Sequence, residues 1–184
     1  RRIIIKAMAF SEPREILRRF VLGEGMKVAD LGAGSGHYAV PAGRIVGGEG
    51  RVYAVDVQKD LLSRVAKEAR EAGLSNVEVI WGDAEEKGGT KLRDGTADAA
   101  IAANILFQLD DKEGFAREAG RILRPKGRIL VVDWSDSFGN MGPRAEEVVG
   151  KESARRLFEG EGFVFESEIP AGEHHYGLIF KKGI

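Results

Sequence analysis

The strongest constraint on the fold is an alternation between two kinds of apolar pattern. Short apolar runs at 26–31, 51–57, 77–81, 97–103 and 128–134 read as strands. Stretches with helical spacing alternate with them: Ile16, Leu17, Phe20 and Val21; Leu61, Leu62, Val65, Ala66 and Ala69; Phe115, Ala119, Ile122 and Leu123. Strand and helix alternate five times at a spacing of about 25 residues, which is the pattern of a parallel, doubly wound α/β sheet. A further helix is expected around Ala154, Leu157 and Phe158, then two strands at 163–169 and 176–181. The turn between these last strands, Pro170-Ala171-Gly172, is too short for a parallel crossover, so they should pair antiparallel.

Length and composition fit one domain. The chain has 184 residues, 43% of them hydrophobic, and 28 Lys+Arg against 29 Asp+Glu give a formal charge of −1. That balance argues against binding driven by neutralising nucleic-acid phosphates. No cysteine is present, which excludes disulfides, thiolate metal sites and a cysteine nucleophile. No stretch approaches the roughly 20 apolar residues of a membrane-spanning helix. Ile3-Ile4-Ile5 is too short for a secretory signal core, so a cytoplasmic location is expected. Residues 1–184 are read as a single domain, with 1–10 an extension that is either disordered or foreign to it. Ser11 is placed as the cap of the first helix, with Pro13 in its first turn.

The most informative segment is Asp30-Leu31-Gly32-Ala33-Gly34-Ser35-Gly36, which leaves a strand and opens a helix. Glycines allow close backbone approach to a ligand, and free helix N–H groups favour polar or anionic ligand atoms. In open α/β sheets ligands bind beyond the carboxyl ends of the strands, where strand order reverses. The dinucleotide fingerprint G-x-G-x-x-G/A would require a small residue at position 37, where His37 stands. A short-chain dehydrogenase also fails at its Tyr-x-x-x-Lys pair, since Tyr38, Tyr53 and Tyr176 are followed four residues on by Ala42, Val57 and Phe180. Pro41 would kink a helix that began near Ser35 but would sit harmlessly in the first turn of one that began near Tyr38.

This spacing, with Asp30 two residues before the first glycine, resembles motif I of the class I S-adenosylmethionine-dependent methyltransferases. The resemblance runs from about Phe10 to the C-terminus. It implies a Rossmann-like, seven-stranded, mostly parallel sheet with a C-terminal antiparallel strand, and S-adenosyl-L-methionine as cofactor. It further implies that Gly32, Ala33, Gly34 and Gly36 hold the methionine part and that Asp30 anchors its amino group. By the same resemblance, Asp56 and Val57 at the second strand end take the ribose, Asp83 and Ala84 at the third take the adenine, and Asn104 at the fourth faces the transferred methyl. Three carboxylates after three consecutive strands suit a cofactor carrying sulfonium and ammonium charge better than a pyrophosphate, which they would repel.

The acceptor side is less legible. Asn104 stands where some family members carry Asp/Asn-Pro-Pro-aromatic, but Ile105 and Leu106 replace both prolines, so methylation of a planar amino nitrogen by that motif is not expected. A turn-forming role for Asn104 is the plain alternative. In-line methyl transfer draws much of its acceleration from alignment, so no catalytic residue is assigned. Phe10, Tyr38, Phe107 and Trp134 are candidate pocket residues, with the core as the alternative for the last two, and the segment 135–150 is a candidate lid or crossover. The run Ile122-Leu123-Arg124-Pro125-Lys126-Gly127-Arg128 resembles the quinone-biosynthesis and arsenite-type branch, although an arsenic substrate would demand thiolates. No metal site is expected, because adjacent strand residues such as His174 and His175 point to opposite faces. Arg14, Arg18 and Arg19 read as a solvated basic face, the alternative being a contact with an acidic partner. The expected activity is methyl transfer to a small molecule, the alternatives being an RNA or protein methyltransferase or a non-catalytic S-adenosylmethionine-binding domain. The acceptor and the oligomeric state are not legible.

Overall fold

The computed structural model describes residues 12–139 and 141–183. Five strands, β1 (Lys27–Leu31), β2 (Arg51–Asp56), β3 (Val77–Trp81), β4 (Ala97–Ala103) and β5 (Leu123–Trp134), are followed by β6 (Phe163–Pro170) and β7 (His175–Lys182). The helices are α1 (Pro13–Phe20), α2 (Ala39–Val46), α3 (Lys59–Glu71), α4 (Lys112–Ile122) and α5 (Lys151–Gly160). One seven-stranded sheet forms in the order β3-β2-β1-β4-β5-β7-β6. The chain winds outward from β1 to β3, then restarts at β4 on the other side of β1. The crevice outside β1 and β4 is therefore the place where loops diverge.

The C-terminal strands refine the expectation. β6 follows the crossover helix α5 and runs in the same direction as β5, whereas β7 returns through the short turn and is antiparallel to both neighbours. β7 alone is reversed. It slots between β5 and β6, so both of its faces are covered and residues His175 to Phe180 are all buried. A strand buried on both faces reads as a continuous apolar run rather than an alternation.

Two apolar layers cover the sheet. On one face Phe115, Ala119 and Ile122 of α4 and Ala154 and Phe158 of α5 pack on Leu31, Val131 and Phe180. On the other, Ile16, Leu17 and Phe20 of α1, Ala42 and Val46 of α2 and Val65 of α3 pack on Val28, Val52 and Ile101. Each fully buried Leu, Ile or Phe contributes about 1.5–3 kcal/mol. Capping departs from the sequence expectation. Glu12 occupies the N-cap of α1 without a side-chain bond and Pro13 is the first helical residue. Ser11, Phe10 and residues 1–10 lie outside the described residues. α4 has the expected kind of cap, Asp111 accepting from the Gly114 amide at 2.8 Å. Helix α2 begins at Ala39, which puts Pro41 in the first turn, where its missing N–H costs nothing.

The 82–96 connection after β3 is irregular, and a buried carboxylate holds it. Glu118 of α4 accepts from the Gly88 and Thr90 amides, from the Thr90 hydroxyl at 2.6 Å and from the Arg121 guanidinium at 2.8 Å. Arg121 also donates to the Leu92 carbonyl at 2.8 Å. Burial raises the Glu118 pKa, but these donors outweigh it and hold the carboxyl down at about 2. The stability this group confers is present above its ordinary value of 4.5 and fades as pH falls toward about 2. Glu118→Ala should cost about 3 kcal/mol in urea unfolding, because several donors lose a buried partner. Glu71→Ala, which breaks only the exposed Lys67–Glu71 pair, should stay within about 0.5 kcal/mol.

Candidate active site

The carboxyl ends of β1 to β4 meet around a cavity of about 370 Å³. Register explains the convergence. In parallel strands every chain leaves by the same edge, and Leu31 of β1 lies level with Val55 of β2 and Ala102 of β4. Nine of the ten residues singled out by motif line this space: Asp30, Gly32, Ala33, Gly34, Asp56, Val57, Asp83, Ala84 and Asn104. Gly36 does not line it. A Cβ there would come within 3.3 Å of Val65, and its φ is +92°, so Gly36 serves the packing of the loop on α3.

The other two glycines act differently. A Cβ on Gly32 would fall 2.3 Å from the Ile105 side chain, and its φ is +74°. Gly32 therefore lets the turn lie against the chain leaving β4. The Gly32 and Ala33 amides donate to the Val55 carbonyl at 2.9 and 3.0 Å, and the Gly34 amide donates to Asp56 Oδ2 at 2.9 Å. The glycine turn is thus tied to the end of β2 by three hydrogen bonds. Gly34 itself faces open space.

The three acids differ in environment. Asp30 is 2% exposed; the Ala39 amide at the start of α2 donates to its carboxylate, and its Oδ2 has no hydrogen-bond partner among the described residues. Burial, with the charge of Asp56 adding to it, pushes the Asp30 carboxyl up to about 7 despite the Ala39 amide. The same burial and the nearness of Asp30 push the Tyr38 hydroxyl up, keeping it protonated. Asp56 is held on both oxygens, by the Gly34 amide and by the Gln58 amide at 2.8 Å. Each carboxylate oxygen has two lone pairs, so a second donor can still be accepted at each. Asp83 accepts from the Glu85 amide at 2.9 Å, an Asx turn that aims the connection after β3.

Sequence reasoning missed several lining residues, among them His37, Gln58, Leu61, Glu85, Gln108, Leu109 and Phe115. They come from loops and helices whose place at the site depends on tertiary packing. It also missed Asp133, which is fully buried on β5. Its Oδ2 accepts from the Ile105 and Leu106 amides at 3.1 and 2.8 Å and its Oδ1 from the Trp134 amide at 2.8 Å. Burial pushes it up to about 6, against these three donors. Asp133 thereby shapes the chain after β4, where Asn104 sits at φ 54°. Asn is among the residues that tolerate this left-handed conformation, so its turn-forming role and its place in the cavity coincide.

Of the other candidates, Tyr38 lines the cavity, whereas Phe107 does not and Trp134 is buried against the His175 ring, 4.2 Å between centroids. His174 does not share a site with His175. It contacts Asp136 at 2.9 Å and stacks on Phe138. Gly142 lies against Trp134, where a Cβ would come within 2.5 Å of the indole. The first part of the 135–150 segment is thus folded back on β5 and β7. Asp133→Ala should cost about 3 kcal/mol, because three amides, two of them buried, lose their acceptor. Hydrogen exchange should show the Ile105 and Leu106 amides losing protection first; unchanged protection would contradict this role.

The methyltransferase-domain family profile matches residues 22–164, well over half of the chain. The crystal structure of a SAM-dependent methyltransferase from Aquifex aeolicus superposes with a TM-score of 0.85 at 29% identity, covering 95% of this chain and 90% of that one. Two ubiquinone/menaquinone biosynthesis C-methyltransferases, UbiE, also match. The one from Cronobacter sakazakii is 30% identical over 150 residues, 74% of this chain and 59% of the relative. The one from Idiomarina loihiensis is 34% identical over 112 residues, 60% of this chain and 43% of the relative. The chain thus spans between two fifths and three fifths of the length of these curated relatives. The chain belongs to the class I S-adenosylmethionine-dependent methyltransferase family.

Proposed function

We propose that this domain transfers the methyl group of S-adenosylmethionine to an uncharged small-molecule acceptor. The observation that carries the reading is the Asp30 carboxylate, buried at the cavity with one oxygen lacking a partner. A buried polar atom of this kind is completed by a donor from a ligand. The shift of Asp30 from 3.8 to about 7 corresponds to about 4 kcal/mol of disfavoured charge. A unit cation about 4 Å away contributes about 4 kcal/mol at an effective dielectric of about 20, so the two effects balance. The residues present therefore fit a cationic amino-acid ligand at this point.

When bound, S-adenosylmethionine supplies an electrophilic methyl on a positively charged sulfur. The chain's own contribution is placement. Asp30 receives the ammonium group, Gly32, Ala33 and Gly34 let the methionine part lie against the backbone, and Asp56 accepts from the ribose hydroxyls. Val57, Asp83 and Ala84 border the base. Asn104 marks the methyl end, and Gly36 supports the turn from behind. Among the described residues no Lys or Arg lines the cavity, which speaks for an uncharged acceptor over an RNA phosphate backbone. The names of the curated relatives favour a carbon of a quinone precursor. Among the described residues no helix is long and apolar enough to cross a membrane. A cytoplasmic setting, where the cofactor is supplied, completes the proposal.

The test is isothermal calorimetry with S-adenosylmethionine, its demethylated product and NAD. Because Asp30 must be ionised to receive the ammonium, affinity for the sulfonium compound should rise about tenfold from pH 6 to pH 8, with protons released on binding. Asp30→Asn should weaken binding about 100-fold and abolish that pH dependence. The same substitution should stabilise the free protein at pH 8, since a carboxyl raised to about 7 loses stability as pH climbs from 3.8 through that value. Binding of NAD in preference to the sulfonium compound would overturn the assignment. Binding without turnover on any acceptor would indicate a non-catalytic domain.

A further inference from the structure

The amino-acid end of a ligand seated at Asp30 carries two opposite charges on one carbon. The group that meets the ammonium must therefore have a hydrogen-bond donor beside it for the carboxylate. The cavity makes this demand sharp. Asp30, Asp56, Asp83 and Glu85 border it and, among the described residues, no Lys or Arg does, so a carboxylate without a donor of its own would be repelled.

The glycine amides do not supply that donor. Those of Gly32 and Ala33 are bonded to the Val55 carbonyl, that of Gly34 to Asp56, and that of Gly36 to the Ala33 carbonyl at 2.9 Å. The Ala39 amide is engaged by Asp30 itself. The side-chain donors left around the turn belong to Ser35, His37 and Tyr38, which all border the cavity and, among the described residues, bond to no protein group. Ser35 is half-buried and His37 is exposed, whereas Tyr38 is only 8% exposed. The Tyr38 ring belongs to the apolar layer that holds Ile16 and Leu17 of α1 and Ala42 of α2, so its direction is set by packing rather than by solvent.

Tyr38 and Asp30 form a matched pair that is not closed. Burial, and after it the charge of Asp30, push the Tyr38 hydroxyl up, so it stays protonated, able to donate, and within reach of the carboxylate's field. Yet the two groups are not bonded to each other, and Asp30 Oδ2 keeps no partner among the described residues. A donor and an acceptor that stand together at a cavity without joining leave a gap that a zwitterion closes, its ammonium on the acid and its carboxylate on the hydroxyl. We propose that the Tyr38 hydroxyl donates to the methionine carboxylate of the cofactor, which makes Tyr38 the residue that separates S-adenosylmethionine from adenosyl sulfonium compounds lacking that carboxylate. This rests on the methyltransferase reading above and adds the second half of its amino-acid subsite. Two contacts also fix the rotation of the amino-acid end, which a single ammonium contact leaves free.

The experiment is isothermal calorimetry on the full chain at pH 8 with S-adenosylmethionine and its decarboxylated analogue, S-adenosylmethioninamine, which differ only in the carboxylate. The wild-type protein should bind S-adenosylmethionine about tenfold more tightly than the analogue. Tyr38→Phe removes one oxygen and leaves the ring in its apolar layer. It should weaken S-adenosylmethionine about tenfold, leave the analogue within about twofold, and so abolish the preference. The unchanged affinity for the analogue reports an intact fold and cavity. A merely structural role of the ring would not give this result, because damage to the fold weakens both compounds alike. A wild-type protein that binds both compounds equally, a variant that keeps the preference, or a variant that loses both alike would each overturn the proposal. Failure of the wild-type protein to bind either compound would instead overturn the methyltransferase reading on which it rests.

Discussion

A carboxylate buried at the edge of a cavity governs this structure. Asp30 closes β1, accepts from the first amide of α2 and keeps one oxygen without a partner. Without a ligand, that arrangement is a local conflict, since a buried charge lacking a full set of donors destabilises the fold. Conflicts of this kind concentrate where a protein binds something. The neighbouring features become intelligible from it. The glycine turn lies against Ile105 at Gly32 and faces open space at Gly34. The Ala39 amide partly stabilises the charge, and Tyr38, its hydroxyl kept protonated by burial, lines the same cavity.

The parallel sheet distributes the rest of the site. Every strand from β1 to β4 presents its carboxyl end to one edge, so the last residues of β1 and β2 and the loops after β3 and β4 deliver Asp30, Asp56, Asp83 and Asn104 to one cavity. These loops are fixed by polar side chains rather than by apolar packing. Asp56 ties the glycine turn to β2, Glu118 holds the connection after β3, and Asp133 holds the chain after β4. Asp56, Glu118 and Asp133, the acceptors that hold these loop amides, all stand on regular elements.

What could be read from sequence follows from the range of the interactions involved. The seven strands and their helices were legible because burial on a sheet leaves local apolar runs and periodicities. The Asp30–Gly36 turn and the acids after β2 and β3 were legible because a spacing along the chain maps directly onto one loop. The direction of β7 was legible from the length of the turn before it, but its insertion between β5 and β6 was not, because strand order depends on contacts far apart in sequence. The same limit hid Asp133, which matters through amides 27 and 28 residues away. Gly36 matches the motif, and its missing side chain makes room for Val65 of α3. Pro41, ambiguous in sequence, resolved once the helix began at Ala39.

The account stands or falls on the charge state of one side chain. A carboxyl carbon-13 NMR titration of Asp30, with and without S-adenosylmethionine, measures it directly. In the free protein the Asp30 resonance should titrate near pH 7, and with the sulfonium compound bound its midpoint should fall by at least two units as the ammonium group completes the carboxylate. An Asp30 that titrates near 4 in the free protein, or whose midpoint is unmoved by the ligand, would contradict the account.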